Sequence, residues 1–509
     1  MMTATSTHEL LDWLRTNMPS AQLTLDSRRV SSGDVFFACR HESGDSRNYI
    51  AQAIEAGASA VVLDDADGFV WRDEWSVPYQ IVTGLAQQIG RIAHDWYGRP
   101  DTEMFSVAVT GTNGKTSCTQ WLGQALSRHG MPTAVIGTLG IGLYRDGQSG
   151  PFTETGYTTP DPMQLYRQLA ERKSQGTRAL AIEASSIGLA QHRIDQLHVD
   201  CAVLTNFTRD HLDFHGTMQA YEQAKTRLFE WQGLQNAVIN LDDPLGARLI
   251  ARLRKTNPAT RIFGYSTEGA SIEGVESLLA DDIRTTQHGS SFHLRTPDGG
   301  GMVRTHLIGR FNVSNALAIA AVLLVRGLSF AQVVSLLESL QAVPGRMQQL
   351  GGIDAPLVVI DYAHTPDALQ KVLDTLRPVA EARQGQLWCV FGCGGDRDPG
   401  KRPQMGLAAD SANHIMVTSD NPRNESPTQI IAQIVAGVPE SSRQKLQIIE
   451  DRATAILSAI RHAGKHDVIL LAGKGHEEYQ EVKGRRLAFR DADHAALALA
   501  TCATRHGGH

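Results

Sequence analysis

The stretch "VAVTGTNGKTSCTQWLGQAL", residues 107–126, leaves a chain little freedom. An apolar β-type run enters a short glycine loop, and an amphipathic helical pattern leaves it, which is the strand–loop–helix grammar of a phosphate-binding loop. Gly111 and Gly114 let the backbone N–H groups close around phosphate oxygens, with Thr112, Asn113 and Ser117 completing the loop. Lys115 supplies a cation, and Thr116 offers a hydroxyl to Mg2+. Position 109 is Val where the longer form of the motif has its first Gly, so the loop is the compact G-T-N-G-K-T. No N-K-x-D guanine motif accompanies it, so ATP is the nucleotide expected.

A strand of this kind needs parallel neighbours, and the sequence supplies them. "FSVAVT" (105–110), "PTAVIG" (132–137), "RALAIEAS" (178–185) and "DCAVLTN" (200–206) alternate with helical stretches. The alternation resumes after residue 350 in "APLVVIDYA", "GQLWCVFGCGG", "HIMVTSD" and "KHDVILLAGKG". This predicts an α/β protein of βαβ units whose ligand loops follow the strands. With 509 residues the chain exceeds one core. "WYGRPDTEM" and "QAVPGRMQQLG" place boundaries near 101 and 344, giving domains 1–100, 101–343 and 344–509.

A net charge of -6 lacks the basic footprint of a nucleic-acid binder. The start has no basic segment leading an apolar one, and the longest apolar run, "ALAIAAVLLV" (316–325), is too short to span a bilayer and reads as a buried helix. Six cysteines without CxxC pairs point to reduced thiols in a cytoplasmic protein rather than a zinc site or disulfide framework.

Other motifs carry chemistry at strand ends. Glu183 closes the apolar run in "LAIEASSIG", where a P-loop enzyme places a carboxylate for Mg2+. "TNFTRDHLDFHG" (205–216) gathers Asp210, His211, Asp213 and His215, which serve as metal ligands, proton carriers or, for Asp210, a helix cap. "TSDNPRNESP" sets Asp420 and Arg423 around the stiff Asn421-Pro422 bend, a match for a ligand bearing both ammonium and carboxylate.

These motifs, together with "TTP", "YEQAK", "IGRFNVSN", "PGRM", "DYAHTPDAL", "FGCGGDRD" and "AGKGHE", occur in one order from about residue 26 to 477 and resemble the Mur ligases, in particular those that add the third amino acid. The resemblance implies a small α/β N-terminal UDP-binding domain, a central P-loop parallel-sheet ATPase domain and a C-terminal Rossmann-like domain. It implies that ATP phosphorylates the D-glutamate side-chain carboxylate of UDP-N-acetylmuramoyl-L-alanyl-D-glutamate and that an amine then attacks the acyl phosphate. By the same resemblance Thr116, Glu183, His211 and Lys225 hold Mg2+, Lys225 as a CO2-derived carbamate, with Lys115 also catalytic. Asn312, Asn315, Arg346 and Asp361 join the ATP site. Ser27, Thr158, Thr159, Ser185, Gln191 and Arg193 bind the UDP-muramyl dipeptide. Arg397, Asp420, Asn421, Pro422, Arg423, Gly473 and Glu477 bind the incoming amino acid, and a monomer is expected.

The chain departs from the family pattern at Ile187, where a His usually follows the serine pair, and at Ser46, which replaces the Gly of a D-G-R. Arg423 favours meso-diaminopimelate over L-lysine, because lysine would leave the guanidinium unpaired. A lysine-adding ligase, a folylpolyglutamate synthetase and a nucleotide-dependent scaffold are the rival readings. The group that takes the proton from the amine stays open between His211, His364 and water.

Overall fold

Each apolar run read as a strand folds as one. In the computed structural model they become Phe105–Thr110, Thr133–Gly137, Ala179–Glu183, Cys201–Leu204, Leu357–Asp361, Leu387–Phe391, His414–Val417 and Val468–Ala472. The structure describes residues 5–41, 44–65 and 68–506. It divides into one unit of Met1–Thr110, Leu126–Ala202 and Ala224–Gln235, and a second of Gly111–Ala125, Val203–Gln223 and Asn236–His509.

The first unit begins with a parallel four-stranded sheet, in the order Leu23–Thr24, Val35–Ala38, Ala60–Leu63, Tyr79–Ile81. "VFFA" and "AVVL" are buried throughout, as strands covered on both faces must be. Its first helix, Thr7–Asn17, starts at a capping box in which Ser6 and Glu9 satisfy each other's backbone N–H. The same unit holds Phe105–Thr110, Ala179–Glu183 and Thr133–Gly137 as parallel neighbours, extended antiparallel by Gly140–Arg145 and Gln148–Ser149. Glu183 pairs in register with Val109, at the carboxyl end of its strand.

In the second unit, Asn236–Asn240, Arg261–Ser266 and Glu276–Thr286 run parallel, and Gly289–Thr296 and Gly299–Thr305 add an antiparallel meander. The helix Arg310–Val325 packs on these strands and is buried from Ala316 to Leu324, as its apolar run predicts. A six-stranded sheet follows, in the order Gln348–Gly351, Leu357–Asp361, Val468–Ala472, Leu387–Phe391, His414–Val417, Leu446–Ile448, with only the first strand antiparallel. Alternate residues serve opposite cores. Val359, Cys389 and Leu470 face helices Pro366–Ala382, Lys401–Ala408 and Pro427–Val435, whereas Val358, Val390 and Ile469 face Arg452–His462 and Asp491–His506. That double coverage explains why the strands read as unbroken apolar runs. Among the described residues no helix is long and apolar enough to cross a membrane.

Arg452 ties this sheet to its last helix. Its Nε and Nη2 donate to the two carboxylate oxygens of Asp491 at 2.7 Å each, and Nη2 also donates to Ala472 O at 2.9 Å. Both side chains are fully buried. Arg452→Ala would strand the Asp491 carboxylate, and a loss of about 3–5 kcal/mol in unfolding free energy is expected, read as a lower urea midpoint; an unchanged midpoint would show the pair to be dispensable.

Candidate active site

The phosphate loop is shaped by contacts that only glycine permits. A Cβ on Gly111 would lie 1.8 Å from Thr205 Oγ1, and one on Gly114, at φ +88°, would lie 2.7 Å from Asn315 Oδ1. The "TNFT" segment braces the loop: Asn113 O accepts from Thr205 Oγ1 at 2.6 Å and Asn206 Nδ2 at 3.0 Å, and the N–H of Asn113 and of Thr112 donate back to Asn206 at 2.9 Å each. Thr205 and Asn206 thus hold the loop, a role hidden in the sequence behind the histidines and acids of the same motif. Lys115 Nζ donates to Gly111 O and Thr112 O at 2.8 and 2.9 Å, lying over the loop it helps to charge.

Beside the loop opens a cavity of ≈ 640 Å3, within the usual range for small-ligand pockets. Of the expected ATP residues, Asn113, Gly114, Ser117, Asn312, Asn315, Arg346 and Asp361 line it. Asn312 is not a helix cap: Gly309 takes that position, and Asn312 Nδ2 donates to Ile308 O at 2.9 Å. Arg346 Nη2 donates to Thr116 Oγ1 at 3.0 Å, while its guanidinium stacks 4.5 Å from the Tyr362 ring. Burial pushes the Asp361 carboxyl up, opposed by Arg346 and by the N–H of Met347, which donates to it at 2.8 Å.

Near the loop, Asp210 lies between two imidazoles, 3.6 Å from His211 Nε2 and 3.7 Å from His364 Nε2. Burial alone would raise the Asp210 carboxyl, but His364, His211 and Lys401 outweigh it and hold the group well below the usual carboxylate range. His364 Nδ1 donates to Tyr362 O at 2.8 Å, which leaves Nε2 facing the acid.

In the first unit, Glu183 is fully buried and accepts from Thr138 N at 2.8 Å and Thr138 Oγ1 at 3.2 Å. Among the described residues no Lys, Arg or His pairs with it. A buried carboxylate without a cation is costly, and its oxygens are hard donors of the kind Mg2+ prefers. Among the described residues no three His, Cys, Asp or Glu form a group that could hold a metal ion, and Lys225, the expected carbamate, is 1% exposed.

Thr158, Thr159, Ser185, Gln191 and Arg193 come together in this unit. Thr159 Oγ1 donates to Glu183 O at 2.7 Å and accepts from Ser185 N at 3.1 Å. Thr158 Oγ1 lies 3.3 Å from Thr138 Oγ1. Arg193 donates from Nη1 to Thr159 O at 2.7 Å, from Nε and Nη2 to Gln191 Oε1 at 3.1 and 2.6 Å, and stacks 4.5 Å from the Tyr157 ring. Ser27 stands apart from these, its hydroxyl donating to Gln52 Oε1 at 3.2 Å. Ser46 compensates for the glycine it replaces: its hydroxyl donates to Cys39 O and accepts from Cys39 N, both at 2.9 Å. Ile187 is half-buried in the short helix Ser186–Ala190 and offers no polar contact.

The second unit gathers the amino-acid candidates. Asn421 Nδ2 donates to Glu477 Oε2 at 2.8 Å, and Asn421 Oδ1 accepts from Lys474 Nζ at 3.1 Å. Lys474, fully buried, also donates to Glu477 at 2.9 Å and lies 4.0 Å from Asp420. Gly473 must be glycine, because a Cβ there would lie 2.5 Å from Asp420 Oδ2. Gly395 N donates to Asn421 O at 2.9 Å and packs against Pro422 O, which fastens the "FGCGG" and "DNPR" loops together. Arg397 borders this seam, its Nη1 donating to Asp396 O at 3.4 Å. Arg423 is not bare without a ligand, contrary to the sequence argument: its Nε donates to Glu481 Oε2 at 3.2 Å and its Nη1 to Gly395 O at 2.7 Å. Lys474 and Glu481 were missed because nothing in the sequence announces a pairing made across a loop.

Residues 109–323 match the Mur ligase middle domain family, and residues 345–475 match the Mur ligase, glutamate ligase domain. A UDP-N-acetylmuramoyl-L-alanyl-D-glutamate--2,6-diaminopimelate ligase from Janthinobacterium sp. (strain Marseille) is 58% identical over 98% of each chain. The chain belongs to the Mur ligase family. Mur ligases are ATP-dependent ligases, which accords with the loop and cavity. The ligase of the same name from Ralstonia nicotianae is 49% identical over 96% of this chain and 95% of its own. A solved structure of a ligase so named superposes with a TM-score of 0.65 at 36% identity, covering 95% of each chain.

Gly114→Ala places a methyl against Asn315 in a backbone conformation that L-residues resist. At least a tenfold weaker ATP Kd by calorimetry, with an unchanged circular dichroism spectrum, is expected of this Mur ligase variant; wild-type affinity would show that the loop tolerates the methyl.

Proposed function

We propose that this Mur ligase joins meso-diaminopimelate to the D-glutamate side-chain carboxylate of UDP-N-acetylmuramoyl-L-alanyl-D-glutamate, in peptidoglycan precursor synthesis. The observation that carries the reading is the "DNPR" pocket. Arg423 presents a guanidinium for the second carboxylate, and Asp420 and Glu477 present acceptors for ammonium groups.

The chemistry needs charge stabilisation more than a covalent nucleophile. Lys115 and the loop amides Gly111–Ser117 hold the β- and γ-phosphates, and Asn312, Asn315, Arg346 and Asp361 hold the rest of the nucleotide. The acceptor carboxylate attacks the γ-phosphorus, ADP leaves, and an acyl phosphate forms. The free amine of the amino acid then attacks the acyl carbon, phosphate departs, and the nitrogen gives up a proton as the amide forms. Thr158, Thr159, Ser185, Gln191 and Arg193 orient the dipeptide, and Ser27 reads its uracil. Mg2+, when bound, neutralises the anionic oxygens; its proposed ligands are Thr116, Glu183, His211 and the carbamate of Lys225. Arg397, Asn421, Pro422 and Gly473 complete the amino-acid pocket. Functionally the chain divides at 1–100, 101–343 and 344–509, a division by ligand rather than by compactness. The enzyme acts as a cytoplasmic monomer on small molecules, with neither nucleic acid nor membrane insertion.

Phosphate release is expected to need ATP, Mg2+, the UDP-dipeptide and meso-diaminopimelate together, and to fall at least tenfold with L-lysine or in Arg423→Ala. Equal rates with lysine would favour the lysine-adding reading, and no release with either would favour a scaffold.

A further inference from the structure

We propose that Glu481 is a positioning residue for Arg423 and so sets the preference of the pocket for an amino acid with a second carboxylate. The inference rests on the diaminopimelate reading above, and nothing in the "DNPR" motif itself announces it.

Glu481 lies on the hairpin strand Tyr479–Val482 and meets the loop through three groups. Its N–H donates to Asn421 Oδ1 at 2.9 Å, its carbonyl accepts from Arg423 N at 3.0 Å, and its carboxylate accepts from Arg423 Nε at 3.2 Å. Lys483 N donates to Arg423 O at 2.7 Å, which completes a bridge between loop and hairpin. Arg423 adopts φ +50°, a backbone conformation uncommon outside glycine, and this bridge holds it there.

The guanidinium is fixed from two sides. Glu481 takes Nε, and Gly395 O takes an N–H of Nη1 at 2.7 Å. A Cβ on Gly394 would lie 2.9 Å from Nη1, so the loop approaches as closely as glycine allows. Nη2 has no hydrogen-bond partner among the described residues. What remains for a ligand is Nη2 with the second N–H of Nη1, a fork that a carboxylate accepts in one orientation. A guanidinium free to rotate would offer that fork only part of the time.

Glu481 also alters the charge that a ligand meets. Arg423 is neutralised by Glu481, and Lys474 is set against Glu477 and Asp420. Counting Arg397, the pocket's three cations balance its three carboxylates before anything binds. meso-Diaminopimelate, with two ammonium and two carboxylate groups, adds no net charge, whereas L-lysine brings an unmatched cation toward Arg423.

The test is a double-mutant cycle in which Glu481→Gln keeps the size and the backbone bonds but removes the charge. KM for meso-diaminopimelate, KM for ATP and kcat are measured by phosphate release for wild type, Glu481→Gln, Arg423→Ala and the double variant. Calorimetric binding of meso-diaminopimelate closes the cycle wherever turnover is lost. Glu481→Gln is expected to raise KM for meso-diaminopimelate about tenfold, to leave kcat and KM for ATP within about twofold, and to add nothing once Arg423 is gone. An unchanged or lower KM overturns the proposal, the latter because it would make Glu481 a competitor of the ligand. The same increase in the Arg423→Ala background overturns it too, because the effect would then be structural. A wild-type enzyme that releases no phosphate in response to meso-diaminopimelate would instead overturn the ligase reading, and this proposal with it.

Discussion

Parallel strands covered on both faces leave a chain one place to put its chemistry, the loops that follow their carboxyl ends. This constraint organises the molecule. Gly111 follows Thr110, Glu183 ends its strand, Thr205 and Asn206 follow Leu204, and Asp361 ends another strand. In the six-stranded sheet the loops after Phe391, Val417 and Ala472 carry the residues proposed to bind the amino acid. The interior of each sheet has no polar work to do and can be purely apolar, and the loops can carry glycines and charges without weakening the core.

Crowded loops need close backbone approach and a partner for each charge. Gly111, Gly114, Gly394, Gly395 and Gly473 meet the first need, each at a place where a Cβ would strike a neighbouring side chain or carbonyl. The second is met in two ways. Charges with a structural task are paired within the protein, as in Arg452–Asp491, or Arg402, which is 1% exposed and forks onto Glu425 while donating to Gly394 O at 3.1 Å. Glu183 differs: it is fully buried, bonded to Thr138 and paired with no cation among the described residues. A buried carboxylate kept in that state is the kind of group the proposed Mg2+ site would use.

Much of this was legible in the sequence because it rests on local patterns. Apolar runs located the strands, to within two residues before residue 350 and within four after it, and the spacing of Gly111, Gly114, Lys115 and Thr116 marked the phosphate loop. The illegible part is made of contacts between distant segments. Thr205 and Asn206 brace the loop about 90 positions upstream, and Glu481 pairs with Arg423 58 positions away. Asn312 shows the converse, since a pattern that reads as a helix cap turns back onto Ile308 once Gly309 starts the helix.

On the proposed reading, the Arg423–Glu481 pair changes where discrimination against lysine would come from. If Arg423 stood bare, lysine would be refused because it left a buried guanidinium unsatisfied, a penalty set by desolvation. With Glu481 and Gly395 already holding it, that penalty is largely gone, and the guanidinium is partly exposed as well. On that reading selectivity would come from what the second carboxylate gains, a fork held in one orientation, and from the unmatched cation that lysine would bring into a balanced pocket. The first is an attractive term and the second a repulsive one. A site using both can remain charge-neutral and stable while empty, and still tell apart two amino acids that differ by a single carboxylate.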